Sequence, residues 1–133
     1  YWDTSSGDSA RAVLASSLGG ASGIPTQIRT IAVSFPDRHL IVGGAIPLGG
    51  SEIDPMLVRF SDQEDFAVFT PTSVNTAGDQ RLEIGSKIIS MTPTKDEMFI
   101  QTDEAVYGMT FVGPPFTFSF RLLLPSIKVL NLV

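Results

Sequence analysis

The stretch that decides the fold runs from residue 31 to residue 42 and reads Ile31-Ala32-Val33-Ser34-Phe35-Pro36-Asp37-Arg38-His39-Leu40-Ile41-Val42. Two short apolar runs rich in β-branched residues flank a Pro-Asp turn, which is the pattern of two strands joined in a hairpin. The pattern returns at an offset of about 58 residues as Ile89-Ser90-Met91, a Pro/Asp turn and Met98-Phe99-Ile100. Such a period is typical of the blades of a β-propeller, and a β-sandwich of ordinary hairpins is the alternative.

The chain after Pro25 has the same character throughout, because Pro, Gly and Asp interrupt short apolar runs at close intervals. No long amphipathic helix fits between these runs, so the sequence predicts an all-β fold of antiparallel sheets. The predicted strands are Gln27–Ser34, His39–Gly43, Met56–Phe60, Ala67–Thr70, Lys87–Thr92, Glu97–Thr102, Ala105–Phe111 and Phe116–Leu124.

The first 25 residues differ from the rest in being rich in Ser, Gly and Ala, which offer little to pack. We therefore expect an extended arm over residues 1–25 and one all-β domain over residues 26–133. Ala10–Leu18 has the length of two helical turns, too short for an independent helix. Because the chain begins at Tyr1 and ends on the apolar run Ile127–Val133, we expect it to be a piece of a longer polypeptide.

The composition excludes several classes of function. Nine Lys and Arg against 14 Asp and Glu give a net charge of -5, so the chain lacks the basic patch of a nucleic-acid-binding protein. There are no cysteines to form disulfides or thiolate metal sites. No apolar run approaches the roughly 20 residues that span a bilayer, so we expect no membrane insertion. Hydrophobic residues reach 43% while charged ones reach 17%, which favours burial of some surface against a partner.

Candidate catalytic residues are few. His39 is the only histidine, and as a base it would need a positioned Ser or Thr and an orienting group, so we interpret it as an ordinary turn residue. The acidic segment Asp62-Gln63-Glu64-Asp65 lacks the ligand set of a calcium loop and is interpreted as a solvated turn capped by Ser61 or Asp62. Asp54, Asp62, Glu64 and Asp65 contain pairs that glycoside hydrolysis could use, as any acidic loop does. We expect no catalytic residue, cofactor or metal.

Candidate interface residues lie near the C-terminus. Phe116, Phe118 and Phe120 alternate with other residues, and this period of two places their rings on one face of a strand. Core packing, a subunit interface and a carbohydrate platform are the three interpretations of that stripe. Ile127, Val129 and Leu132 form an apolar end segment, which we expect to pair as a strand with another chain or another part of the parent protein.

Several short motifs occur in one order along the chain: Arg59-Phe60-Ser61 before the acidic turn, Asn75-Thr76-Ala77-Gly78-Asp79, Gly85-Ser86-Lys87-Ile88-Ile89, Phe99-Ile100-Gln101-Thr102-Asp103-Glu104-Ala105-Val106-Tyr107 and Gly113-Pro114-Pro115-Phe116. From about Arg38 to Phe120, the chain resembles the propeller-bearing tail proteins of tailed bacteriophages, of the nozzle or tail-tube type. The C-terminal stretch Leu124–Leu130 departs from that resemblance. The motifs include no catalytic residue.

The resemblance implies a structural, non-catalytic protein of the virion tail, assembled as a homo-oligomer or with other virion proteins. It also implies propeller-blade-like repeats, and an acidic wall would suit a conduit through which DNA slides without binding. The alternative hypothesis is a free-standing β-domain that binds carbohydrate or another ligand, favoured by Tyr1, Trp2 and the phenylalanine stripe.

Overall fold

The computed structural model describes residues 12–35, 37–114 and 116–125. Apart from a short 3-10 turn at Ala15–Ser17, its regular elements are eight strands. They are β1 (Ile28–Val33), β2 (Leu40–Ala45), β3 (Asp54–Phe60), β4 (Gly78–Arg81), β5 (Ile88–Pro93), β6 (Met98–Thr102), β7 (Val106–Gly113) and β8 (Thr117–Leu124). The predicted all-β class is confirmed.

The strands form two four-stranded antiparallel sheets, β1-β2-β3-β4 and β5-β6-β7-β8, each in sequence order. The repeat seen in the sequence falls on equivalent strands, because Ile31–Val33 and Leu40–Val42 belong to β1 and β2 while Ile89–Met91 and Met98–Ile100 belong to β5 and β6. The first strands of the two sheets lie close together, since backbone contacts between the sheets concentrate on β1 and β5.

One face of each sheet packs on the other, and the core lies between them. Alternating side chains of both sheets contribute to this core, as expected for strands with one buried face. Its buried members are Ile41, Met56, Val58, Phe60, Leu82, Ile88, Met91, Met98, Ile100, Ala105, Tyr107, Met109 and Phe118.

A glycine allows the close approach of β2 to β5. A Cβ atom on Gly43 would lie 2.9 Å from Cγ2 of Thr30 and 3.1 Å from Sδ of Met91, nearer than ordinary van der Waals contact. A larger residue at position 43 would therefore force the sheets apart, so the absence of a side chain is a packing requirement.

The β3–β4 loop (residues 61–77) covers part of the outer face of the first sheet. The Ser22 N–H donates to the Ala67 carbonyl at 2.9 Å and the Phe69 N–H donates to the Ser22 carbonyl at 2.7 Å, which ties the loop to the segment that precedes β1. Phe69 then packs with Val42 and Ala45 in a second, smaller core.

One predicted strand was wrong, and one observed strand was not predicted. Ala67–Thr70 lies in the β3–β4 loop, where Val68 makes only an isolated bridge to Ser22, because this segment is used to cover the sheet. The fourth strand of the first sheet is instead the polar segment Gly78–Arg81, which pairs with β3 and has no apolar alternation to reveal it.

Candidate functional site

His39 is not the ordinary turn residue that the sequence suggested. Its side chain is fully buried, at 0% exposure, where the β1–β2 turn enters β2. The turn is tight, since the His39 carbonyl accepts from the Ser34 N–H at 3.0 Å, and it carries the imidazole inward. A buried imidazole needs partners for both ring nitrogens, and the structure provides them.

Polar partners reach His39 from two segments of the chain. Nδ1 lies 2.7 Å from Oδ2 of Asp37, and that oxygen also accepts from the Ser34 hydroxyl at 2.5 Å. Nε2 lies 2.9 Å from Oγ1 of Thr76, which in turn lies 2.8 Å from Oδ1 of Asp62. We call Ser34, Asp37, His39, Asp62 and Thr76 the His39 clasp, because they join the β1–β2 turn to the β3–β4 loop.

Aromatic rings enclose the imidazole on its other sides. The ring centroids of Phe118, Phe111 and Phe60 lie 4.9, 5.6 and 6.4 Å from that of His39. Phe60 ends β3, whereas Phe111 and Phe118 belong to the second sheet, so the clasp lies where both sheets meet. Its surroundings are apolar, which strengthens each hydrogen bond within it.

The clasp has the sequence of groups that a nucleophilic hydroxyl needs, with Asp37 on one nitrogen of His39 and Thr76 on the other. The Thr76 hydroxyl, however, also accepts from the Gln63 N–H at 2.9 Å and donates to Asp62 at 2.8 Å, so together with His39 three groups of the chain occupy its hydrogen-bonding positions. Three surface cavities, of about 150, 320 and 360 Å³, are lined by other residues. The geometry is that of a structural network.

Asp62 caps the acidic turn, as the sequence suggested. Its Oδ1 accepts from the N–H groups of Gln63 and Thr76, each at 2.9 Å. Burial by itself would raise the pKa of Asp62, but the hydrogen bonds from Thr76 and Gln63 and the nearby charge of His39 hold the pKa below its usual value. Ser61 is buried and donates to the Asp62 carbonyl at 2.9 Å instead of capping the turn.

The carboxylates considered for glycoside hydrolysis are divided between the two ends of β3. Asp54 begins the strand and pairs with Arg81 at 2.8 Å, whereas Asp62 follows the strand's last residue. A strand of this length separates them by roughly 20 Å, far beyond the spacing of a glycosidase pair. Glu64 pairs with Arg38 at 3.5 Å on the surface, and Asp65 accepts from the Ala67 N–H at 3.1 Å.

Arg59 is a second buried polar centre, 2% exposed on the outer face of the first sheet. Its guanidinium donates to the carbonyls of Gly23, Ile46 and Phe69 at 2.6, 3.0 and 3.4 Å. Burial lowers the pKa of Arg59, and the charge of Asp79 opposes that effect. The three carbonyls come from three segments, so Arg59 fixes the covering loop and the segment before β1 to the sheet.

The three rings of the phenylalanine stripe do not all lie on one face, because Phe116 precedes the start of β8. Phe118 is buried in the core and Phe120 packs beside it, as a period of two requires. Phe116 lies in the turn before the strand and is 79% exposed. The cause is local: the Phe118 N–H donates to the Phe116 carbonyl at 2.7 Å, and Thr117 between them has a φ of 63°, which rotates Phe116 out of the strand's alternation. Of the three rings, Phe116 is therefore the one most available to a partner.

Three of the exposed apolar side chains lie at one end of the molecule. The contacts of His39 with Phe111 and Phe118 place the β1–β2 and β7–β8 turns at the same end of the two sheets, which we call the turn end. Phe35, Val112 and Phe116 are exposed there. The other predicted interface residues, Ile127, Val129 and Leu132, lie outside the described residues.

Among residues 12–35, 37–114 and 116–125, no three His, Asp or Glu side chains are grouped so as to hold a metal ion. In the same part of the chain, no helix has the length and apolar character to cross a membrane. Comparisons of the chain with protein-family models, curated proteins and solved structures find no match.

Proposed function

We propose that this chain is a structural, non-catalytic component of a bacteriophage tail that assembles with other subunits. The ordered motifs between Arg38 and Phe120 suggest that assignment, and the chemistry of the described residues agrees with it. The imidazole and hydroxyl of the His39 clasp and the guanidinium of Arg59 are engaged with other groups of the chain itself. No residue of the His39 clasp lines the three cavities described above. Arg59 lines the cavity of about 150 Å³, but its guanidinium already donates to three carbonyls of the chain.

The observation that carries the proposal is the succession of two equivalent four-stranded meanders. In a β-propeller each blade is such a meander, and the first strands of neighbouring blades lie nearest the axis. The approach of β1 to β5 fits that geometry. Since a propeller needs at least four blades, a blade-like interpretation requires further sheets from the parent polypeptide or from other subunits.

The turn end supplies a surface for such contacts. Phe35, Val112 and Phe116 expose apolar side chains there, and exposed apolar patches on folded domains usually mark contacts with partners. The end segment Ile127–Val133 is the second proposed contact, through strand pairing. The net charge of -5 suits a wall past which nucleic-acid phosphates move without binding.

Sedimentation velocity on the intact chain and on a chain that lacks Ile127–Val133 tests the assembly. We expect the intact chain to form oligomers whose mass rises with concentration and the shortened chain to dissociate or lose solubility. Equal oligomeric state and solubility for both chains would remove the physical support for the end segment.

The exposed ring of Phe116 also favours the second candidate, a carbohydrate-binding domain, since sugars stack on accessible aromatic rings. A glycan array run with the intact chain and the Phe116→Ser variant separates the two functions. A chain that stays monomeric and binds a glycan through Phe116 would contradict the tail assignment.

A further inference from the structure

The hydrogen bonds of the His39 clasp determine how many protons it holds. Thr76 Oγ1 has one hydrogen to donate and two lone pairs to accept with. It has three polar neighbours: the Gln63 N–H at 2.9 Å, His39 Nε2 at 2.9 Å and Asp62 Oδ1 at 2.8 Å. The Gln63 N–H is always a donor, so it occupies one lone pair.

Of the two remaining neighbours, one takes the Thr76 hydrogen and the other donates its own. Asp62 is the acceptor, because its Oδ1 already receives the N–H groups of Gln63 and Thr76, which favour the ionised carboxylate. His39 Nε2 must therefore carry a hydrogen and donate it to Thr76. A lone pair on Nε2 would face the second lone pair of the Thr76 oxygen, and that contact is repulsive.

The other ring nitrogen requires a hydrogen as well. His39 Nδ1 lies 2.7 Å from Asp37 Oδ2, an oxygen that accepts from the Ser34 hydroxyl. Asp37 and His39 are both buried, so water does not intervene to supply a donor. A carboxylate oxygen at this distance calls for an N–H on the ring.

We propose that His39 is an imidazolium in the folded chain, and that its second ring proton is a pH-sensitive latch closing the β1–β2 turn onto the β3–β4 loop. Raising the pH removes that proton and leaves either Asp37 or Thr76 facing a nitrogen lone pair. The clasp then opens and frees the turn that carries Phe35 at the turn end. This latch acts whether or not the proposed tail function is correct.

The charged groups around the ring agree with this assignment. Asp37 faces it from the turn and Asp62 faces it, through Thr76, from the loop. The packed elements β3, β7 and β8 present Phe60, Phe111 and Phe118, which carry no charge. The nearby cation and anion, Arg38 and Glu64, pair with each other on the surface.

The latch makes stability fall as the pH rises above neutral. A histidine in the unfolded chain loses its proton near pH 6.5. If the folded chain keeps that proton, it binds one proton more than the unfolded chain at higher pH. The unfolding equilibrium constant then rises about tenfold per pH unit until the folded clasp releases the proton.

Urea denaturation of the unaltered chain and the Asp37→Asn variant between pH 6 and 9 tests the proposal. The introduced amide can donate to Nδ1, so a neutral imidazole satisfies the clasp in the variant. We expect the steep dependence above about pH 7 in the unaltered chain and a flat profile in the variant. Equal slopes in the two proteins, or a flat profile in the unaltered chain, would overturn the latch.

The ring itself provides a second measurement that does not depend on the variant folding. Because His39 is the only histidine, its ¹⁵N resonances need no assignment among several. We expect both ring nitrogens of the unaltered chain to be protonated at pH 7.5. A spectrum with one protonated and one unprotonated nitrogen at that pH would contradict the proposal, whatever the denaturation profiles show.

Discussion

The two sheets have the same strand order but differ in what covers their outer faces. In the first sheet, the connection between the third and fourth strands spans residues 61–77 and folds back over the strands. In the second sheet, the equivalent connection is the short turn between Gly113 and Thr117, and the outer face presents the partly exposed ring of Phe99 and an ion pair of Arg121 with Glu97 at 3.0 Å. Among the residues that the structure describes, a loop covers the outer face of the first sheet and none covers that of the second.

The difference shows what a long covering loop requires. Its backbone groups leave water, so each needs a hydrogen-bond partner within the chain. Arg59 provides one such partner by donating to the Phe69 carbonyl at 3.4 Å, and His39 contacts the loop through the side chain of Thr76 at 2.9 Å. The short turns of the second sheet are satisfied by local hydrogen bonds, such as the one from the Thr94 N–H to the Glu97 carbonyl at 2.8 Å.

We expect the largest loss of stability from a substitution in the core where both sheets meet. The Phe118 ring lies 4.9 Å from the rings of Phe60 and His39, so the Phe118→Ala variant opens a cavity between the sheets. We expect it to lose about 3 to 5 kcal/mol of unfolding free energy in urea. The exposed Phe116→Ala variant is the control and should lose less than about 0.5 kcal/mol. A loss below about 1 kcal/mol for Phe118→Ala would mean that the sheets do not share this core.

One arginine on the outer face of each sheet provides a test of the difference between the two faces. The Arg59→Met variant leaves three buried or partly buried carbonyls without their donor and should lose about 3 kcal/mol, measured by urea denaturation. The Arg121→Met variant removes a surface pair of the open face and should lose about 1 kcal/mol at most. Similar losses in both variants would indicate that the loop cover of the first sheet is not held by Arg59.

We expect a smaller loss of stability when Asp62 is protonated at low pH. The pKa of Asp62 is lowered in the folded chain, so its contribution to stability is present above the ordinary value of about 4 and is lost as the pH falls through the folded value. We expect the Asp62→Asn variant to show a shallower loss of stability below pH 4 than the unaltered chain, with a difference of about 1 kcal/mol at most.

A second aspartate serves as the control for that acid profile. Asp103 also has a lowered pKa, chiefly because the Ser86 hydroxyl and N–H donate to its carboxylate at the edge of the second sheet. The Asp62→Asn variant should therefore keep part of its acid sensitivity. Identical acid profiles for the variant and the unaltered chain would show that Asp62 is not stabilised by its contacts.

Most strands could be predicted because their signal is local. Seven of the predicted segments overlap observed strands, as hydrophobic alternation and Pro/Asp turns require nothing distant in the chain. The pairing of Gly78–Arg81 could not be predicted, since its polar residues owe their place to β3. The covering segment around Phe69 was mistaken for a strand because a buried loop can be as apolar as a strand.

The buried polar centres were the least predictable part of the molecule. The proximity of Ser34, Asp37 and His39 in one turn was a local sign that the histidine had partners. Thr76 lies 37 residues away, and only the folded β3–β4 loop brings it to the ring. The three carbonyl partners of Arg59 are also distant in sequence, so the residues around Arg59 could not predict them.

The central claim, that the turn end is a contact surface of an assembling structural protein, can be tested by sedimentation velocity on the Phe116→Ser variant. The ring is 79% exposed, so the substitution should leave folding intact. Leu48→Ser, an exposed apolar residue in the β2–β3 connection at the opposite end, is the matched control. We expect Phe116→Ser to weaken self-association at least tenfold and Leu48→Ser to leave it unchanged. Unaltered association of the Phe116→Ser variant would contradict the claim.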